Sequence, residues 1–92
     1  MSSTFDPAGA WALSDRVAIR PESFGALAYH FGTRRLSFLK SPVLVRLVQR
    51  LGDYPSALQA CDELGINGNR APMLRALETL ASTGIIVRRG QT

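Results

Sequence analysis

Ala26-Leu27-Ala28-Tyr29-His30-Phe31-Gly32-Thr33-Arg34-Arg35-Leu36-Ser37-Phe38-Leu39-Lys40-Ser41-Pro42 is the stretch that decides the fold of this chain. From Ala26 to Phe31 the residues alternate, which places Leu27, Tyr29 and Phe31 on one face of an extended strand. Gly32-Thr33 then turns the chain, and Leu36 and Phe38 resume the alternation through Leu39. Just upstream, Arg16 to Arg20 alternates with Val17 and Ile19 on one side, and Pro21 reads as the terminator of that strand. Together these segments predict a three-stranded antiparallel meander. Ser41-Pro42 then announces a helix: serine caps free amides, and proline at the first helical position loses no hydrogen bond.

Leu44, Leu47, Val48 and Leu51 follow at helical spacing, with Gly52 as the expected stop. A second helix is expected from about Pro55 to Leu64, burying Ala57, Cys61 and Leu64 ahead of Gly65. Asn69 is suited to cap a third, in which Met73, Leu74, Leu77, Leu80 and Ala81 form the apolar stripe and Gly84 the end. Ile85, Ile86 and Val87 form a candidate terminal strand. The order is three strands, three helices and a short tail, an α+β fold with helices on one face of the sheet. The last third, helix, tight turn and helix, also gives it a winged helix-turn-helix character. Residues 1–10 are expected to be loose, and the chain shows no repeat or internal linker.

A chain of 92 residues is one domain, since shorter pieces could not bury a core of their own. Apolar residues at 46% and charged residues at 20% are the balance of an ordinary globular protein. Cys61 has no partner for a disulfide, and with His30 it cannot complete a metal cage, so no metal is expected. Residues 1–15 hold Asp6, Pro7 and Asp15 without a basic start before an apolar run, and no stretch is long enough to span a bilayer. A cytoplasmic protein with no membrane partner is the expectation.

The net charge of +4 is unevenly spread. Residues 1–15 carry −2, residues 16–50 carry seven bases against Glu22 for +6, and residues 51–92 are neutral. The central segment therefore favours an acidic partner.

Catalytic chemistry has little to stand on. His30 has no orienting carboxylate on its face of the strand and reads as a structural histidine. Asp62 and Glu63 are adjacent on a helix and point apart, so they cannot work as an acid and base pair. Cys61 lies on an apolar stripe and reads as a small core residue. No phosphate loop, dinucleotide fingerprint or catalytic triad appears, and neither an enzyme nor a cofactor is expected. The alternative reading is a winged-helix nucleic-acid binder. Its recognition helix would carry Arg70 and Arg75 against Glu78, with Met73, Ala76 and Thr79 where a groove reader presents basic and amide groups. No nucleic-acid partner is expected.

The strand edges offer more. The first strand of the meander is cut short by Pro21, whereas Arg34 to Lys40 contains no proline and is flanked by Arg34, Arg35 and Lys40. An extended peptide can add there as a further strand, backbone bonds supplying affinity and side-chain pockets selection. Such an edge equally permits a homodimer, and its charges also guard against aggregation.

The stretch Arg20-Pro21-Glu22-Ser23-Phe24-Gly25-Ala26-Leu27-Ala28-Tyr29-His30-Phe31-Gly32, continuing through Arg34-Arg35-Leu36-Ser37-Phe38-Leu39-Lys40-Ser41-Pro42, resembles the mycofactocin biosynthesis chaperone family. The pattern from about Trp11 to Arg89, closing with Leu80-Ala81-Ser82-Thr83-Gly84-Ile85-Ile86, resembles the wider group of PqqD-like precursor recognition elements. The resemblance implies a non-catalytic adaptor that binds the leader of an acidic, ribosomally made precursor peptide. It also implies delivery to a partner radical S-adenosylmethionine maturase, which modifies the Val-Tyr end of that peptide. It further implies a leader that adds to the third strand beside the third helix. Carried onto this chain, the implied site is Arg34, Arg35, Leu36, Ser37, Phe38, Leu39 and Lys40, with Leu74, Arg75 and Glu78 on the helix side.

Overall fold

The computed structural model describes residues 5–66, 68 and 70–89. In chain order the elements are β1 (Trp11–Leu13), β2 (Val17–Glu22), β3 (Gly25–His30), β4 (Leu36–Leu39), α1 (Pro42–Arg50), α2 (Ala57–Glu63), α3 (Arg70–Ser82) and β5 (Ile86–Arg88). β2, β3 and β4 make the expected antiparallel meander, in that spatial order, and three helices follow. The α+β reading therefore holds. β1, which the sequence reading missed, pairs with β5 in a separate two-stranded sheet, Trp11 opposite Arg88 and Leu13 opposite Ile86. Three residues are too few to show an alternation.

Two hydrogen bonds set the direction of the meander's backbone groups. The Phe31 amide donates to the Arg16 carbonyl at 2.7 Å, and the His30 amide donates to the Arg35 carbonyl at 2.9 Å. Bonded and non-bonded pairs alternate along an antiparallel ladder, so odd-numbered residues of β3 bond to β2 and even-numbered ones to β4. Pro21 stands opposite Ala26 at a non-bonded position of an edge strand, where its missing amide hydrogen leaves the ladder intact. β2 accordingly runs on to Glu22, and the expectation that Pro21 ends the strand is corrected.

Residues 5–10 are tied down rather than loose. The Ala57 and Leu58 amides at the start of α2 donate to the Gly9 and Pro7 carbonyls at 3.2 and 3.0 Å, and the Trp11 indole donates to the Asp6 carbonyl at 2.8 Å. The segment thus satisfies helix amides that would otherwise be orphaned. Phe5 lies against the Trp11 ring, centroid to centroid 4.9 Å.

Ser41 caps α1 as expected, its hydroxyl accepting from the Val43 and Leu44 amides at 3.1 and 3.3 Å. Gly52 does not close that helix. α1 ends at Arg50, and Leu51–Asp53 form a single 3-10 turn in which Gly52 lies against Ala12 of β1. α2 starts at Ala57 because Ser56, with its hydroxyl 3.0 Å from the Gln59 amide, is its cap. The expected Asn69 cap of α3 lies outside the described residues. Gly84 ends that helix at φ +80°, a left-handed conformation that favours glycine.

The core lies between the inner face of the meander and the helices. Ala26, Ala28 and Leu39 from the sheet meet Leu44, Leu47 and Val48 of α1, Ala57, Ala60 and Cys61 of α2, and Leu77 and Leu80 of α3. Leu39, Leu47 and Leu77 are fully buried, each worth about 1.5–3 kcal/mol of transfer free energy. The two alanines let α1 approach the sheet closely. Gly25 shows the same crowding at φ +146°, since a side chain there would collide with the Leu39 carbonyl.

Alternation then forces the larger side chains outward. Leu27, Tyr29, Leu36 and Phe38 lie on the sheet face turned away from the helices, with Leu27 opposite Phe38 and Tyr29 opposite Leu36.

Candidate functional site

β4 is an edge strand: β3 occupies one side, and no described strand pairs with the other. The ladder parity turns the backbone groups of Ser37 and Leu39 towards β3, opposite Ala28 and Ala26. The amides and carbonyls of Leu36 and Phe38 consequently point away from the sheet. Two outward residues without a proline between them can bond an added strand.

Beside this edge lies a groove of about 300 Å³ between β4 and α3. Its lining is Ser37, Phe38 and Lys40 from the strand side, Leu44 from α1, and Ala76, Thr79 and Leu80 from α3. Leu44 and Leu80 are buried and make an apolar bottom, while Phe38, Lys40 and Thr79 are exposed at the rim. The groove exists because α3 presents small Ala76 and Thr79 where a larger pair would close against the sheet. A second hollow, of about 370 Å³ and lined by Phe24, Phe38 and Lys40, lies on the other side of the same strand.

The structure brings together only some of the residues named from the sequence. Ser37, Phe38 and Lys40 share the groove. Leu39 is fully buried in the core, and Leu36 is exposed on the outer sheet face. Arg34 and Arg35 are exposed in the turn before β4, outside the groove lining. On α3, Leu74 is half-buried against the core, whereas Arg75 and Glu78 are exposed and do not line the groove. Leu44, Ala76, Thr79 and Leu80 were missed. The signal was the spacing of Ala76, Thr79 and Leu80, small and apolar residues at i, i+3 and i+4 on one helix face.

The turn feeding β4 is built by His30. Its Nδ1 accepts the Gly32 and Thr33 amides at 3.0 and 3.1 Å, which pins the turn to the ring. The Arg34 amide reaches the His30 carbonyl at 2.7 Å, and Arg34 takes a left-handed φ of 61°. His30 is 8% exposed, a structural residue that fixes the start of the edge strand.

Cys61 is fully buried, and that burial pushes its thiol up; Arg70 opposes the shift and Asp62 adds to it. A thiol so placed is a poor nucleophile. Among the described residues no cluster of ligating side chains could hold a metal ion, and no helix is long and apolar enough to cross a membrane.

The described residues thus form a small α+β domain with an unblocked sheet edge above an apolar groove. The chain belongs to the peptide chaperone MftB family, whose model matches residues 10–87. It is 49% identical over 92 residues to the peptide chaperone MftB of Mycobacterium tuberculosis (strain ATCC 25618 / H37Rv), covering 99% of this chain and 84% of that relative. The peptide chaperone MftB of Mycobacterium ulcerans (strain Agy99) is 46% identical over 94% of this chain and 80% of its own length. That of Mycolicibacterium smegmatis (strain ATCC 700084 / mc(2)155) is 48% identical over 91% and 83%. No solved structure matches the chain. Family membership supports a chaperone role, a peptide partner and a place in mycofactocin biosynthesis.

Proposed function

We propose that the chain is a non-catalytic, cytoplasmic adaptor that binds the leader of the mycofactocin precursor peptide and presents it to a radical S-adenosylmethionine maturase. In this reading the fold is of the winged-helix, PqqD-like kind, and the leader lies as an added strand along β4. The observation that carries it is the edge itself: Leu36 and Phe38 hold their backbone groups outward, directly beside the groove shared with α3. Alternate side chains of an added strand would point into that groove and onto Phe38 on the other side. Lys40, at the rim of both hollows, faces acidic residues of the leader, and Arg34 and Arg35 add a longer-range attraction.

An adaptor accelerates a reaction without chemistry of its own, because a held substrate meets the enzyme at a high effective concentration. Mass spectrometry of the precursor after incubation with this protein, with the maturase, and with both tests the role. Modification only, or mainly, with both present supports the reading. Modification by this protein alone, or equal turnover by the maturase without it, rejects it. A parallel titration with a generic DNA duplex should show no specific binding.

A further inference from the structure

Five of the seven large apolar side chains exposed among the described residues gather on one surface: Phe24, Tyr29, Phe31, Leu36 and Phe38. They cover the outer face of the meander, around half-buried Leu27. Phe38 and Phe31 are each 57% exposed, and Leu36 is 53% exposed. Rings pair edge to face at both ends, Phe24 with Phe38 at 6.0 Å and Tyr29 with Phe31 at 5.7 Å, which holds the surface in shape without covering it. No contact within the core requires these groups, because Ala26, Ala28 and Leu39 supply the inner face. A contiguous apolar patch of this kind on so small a domain marks an interaction site.

The rim of the patch is basic. Arg16 stands beside Phe31 and Arg20 beside Leu27, with Arg34, Arg35 and Lys40 at the β4 side. Glu22 is engaged by Arg20 at 3.2 Å, and no carboxylate of the described residues pairs with Arg16, Arg34, Arg35 or Lys40. A second copy docked face to face would oppose one basic rim to another, which disfavours a self-interface. An extended peptide is matched to an edge, whereas a surface three strands wide, roughly 10–15 Å, is matched to a folded surface.

We infer that the outer face of the meander docks a folded partner protein with an apolar centre and an acidic rim. Resting on the adaptor reading, that partner is the maturase, and the face adjoins the peptide edge along β4, with Tyr29 and Phe31 outside the groove lining. The β4 edge and its groove then hold the peptide while the outer face of the meander holds the enzyme.

The test measures direct binding of the purified maturase, without peptide, to wild type and to Tyr29→Glu/Phe31→Glu, with Phe31→Ser as a milder variant and circular dichroism to verify folding. Neither position lines the groove, so precursor binding, measured separately, judges the adaptor reading on its own. Enzyme affinity reduced about tenfold or more with precursor affinity unchanged supports the inference. A folded variant that binds the maturase like wild type overturns it, as does a wild type that does not bind the enzyme at all. Loss of a wild-type dimer in sedimentation, or of binding to anionic phosphatidylserine vesicles or oligo(dT), with enzyme binding unaffected would also overturn it.

Discussion

Ser37 of β4 stands opposite Ala28 of β3 at a hydrogen-bonded position, so its backbone is spent on the sheet, while its neighbours Leu36 and Phe38 face out. Proline substitutions should therefore differ by parity. Leu36→Pro removes an outward amide and should leave a folded protein whose affinity for the precursor falls about tenfold or more relative to Leu36→Ala. Ser37→Pro removes a ladder bond and should lose folded structure in circular dichroism. A folded Leu36→Pro protein that binds like Leu36→Ala would exclude docking at this edge.

Binding should weaken as salt rises, because exposed charges are screened. Lys40 lines the groove and Arg34 and Arg35 do not, so Lys40→Gln should cost about two- to fivefold in affinity, the range of a single exposed ion pair. Arg34→Asn should cost less, and asparagine suits the left-handed turn position. Isothermal titration at low and high salt measures both. Equal losses at the two positions would place the acidic part of the peptide elsewhere.

Thr79→Trp fills the groove from an exposed position of α3 and should lower peptide affinity about tenfold or more while leaving the melting temperature within a few degrees of wild type. A tryptophan variant with unchanged affinity would show that the peptide does not enter the groove.

Cys61 gives a stability prediction with a definite sign. Burial favours the neutral thiol, so the folded value lies above the unfolded one; that stabilisation is complete below about pH 8.5, the ordinary thiol value, and fades as pH rises through the folded value. Urea midpoints of wild type should accordingly fall more steeply on the alkaline side than those of Cys61→Ala. Identical pH profiles would contradict a buried, protonated thiol. A disulfide-exchange reagent should also react only as fast as the protein opens.

Much of this was legible from residue order. The meander, the Ser41 cap and the apolar stripes of α1 and α3 follow from period and from cap chemistry, which are local. What failed was non-local. β1 is three residues long and is defined only by β5, which lies more than seventy residues further along the chain. Residues 5–10 look unpatterned because their order comes from carbonyls bonded to α2. Pro21 was misread because its compatibility depends on ladder parity, which the turn at Gly32-Thr33 sets. On the site, the strand side was readable from an unblocked run after Arg35. The helix side was not, because Arg75 and Glu78 draw attention by charge while the groove is made by Ala76 and Thr79, which matter by being small.

Amide hydrogen exchange at Leu36 and Phe38, measured by NMR with and without a synthetic leader peptide of the precursor, tests the central claim most directly. In the free protein the Ser37 amide should be protected by its bond to β3, and those of Leu36 and Phe38 should exchange quickly. With the peptide bound, exchange at Leu36 and Phe38 should slow about tenfold or more, and Ser37 should change little. Fast exchange at Leu36 and Phe38 under saturating peptide, with new protection appearing elsewhere, would contradict strand addition to β4.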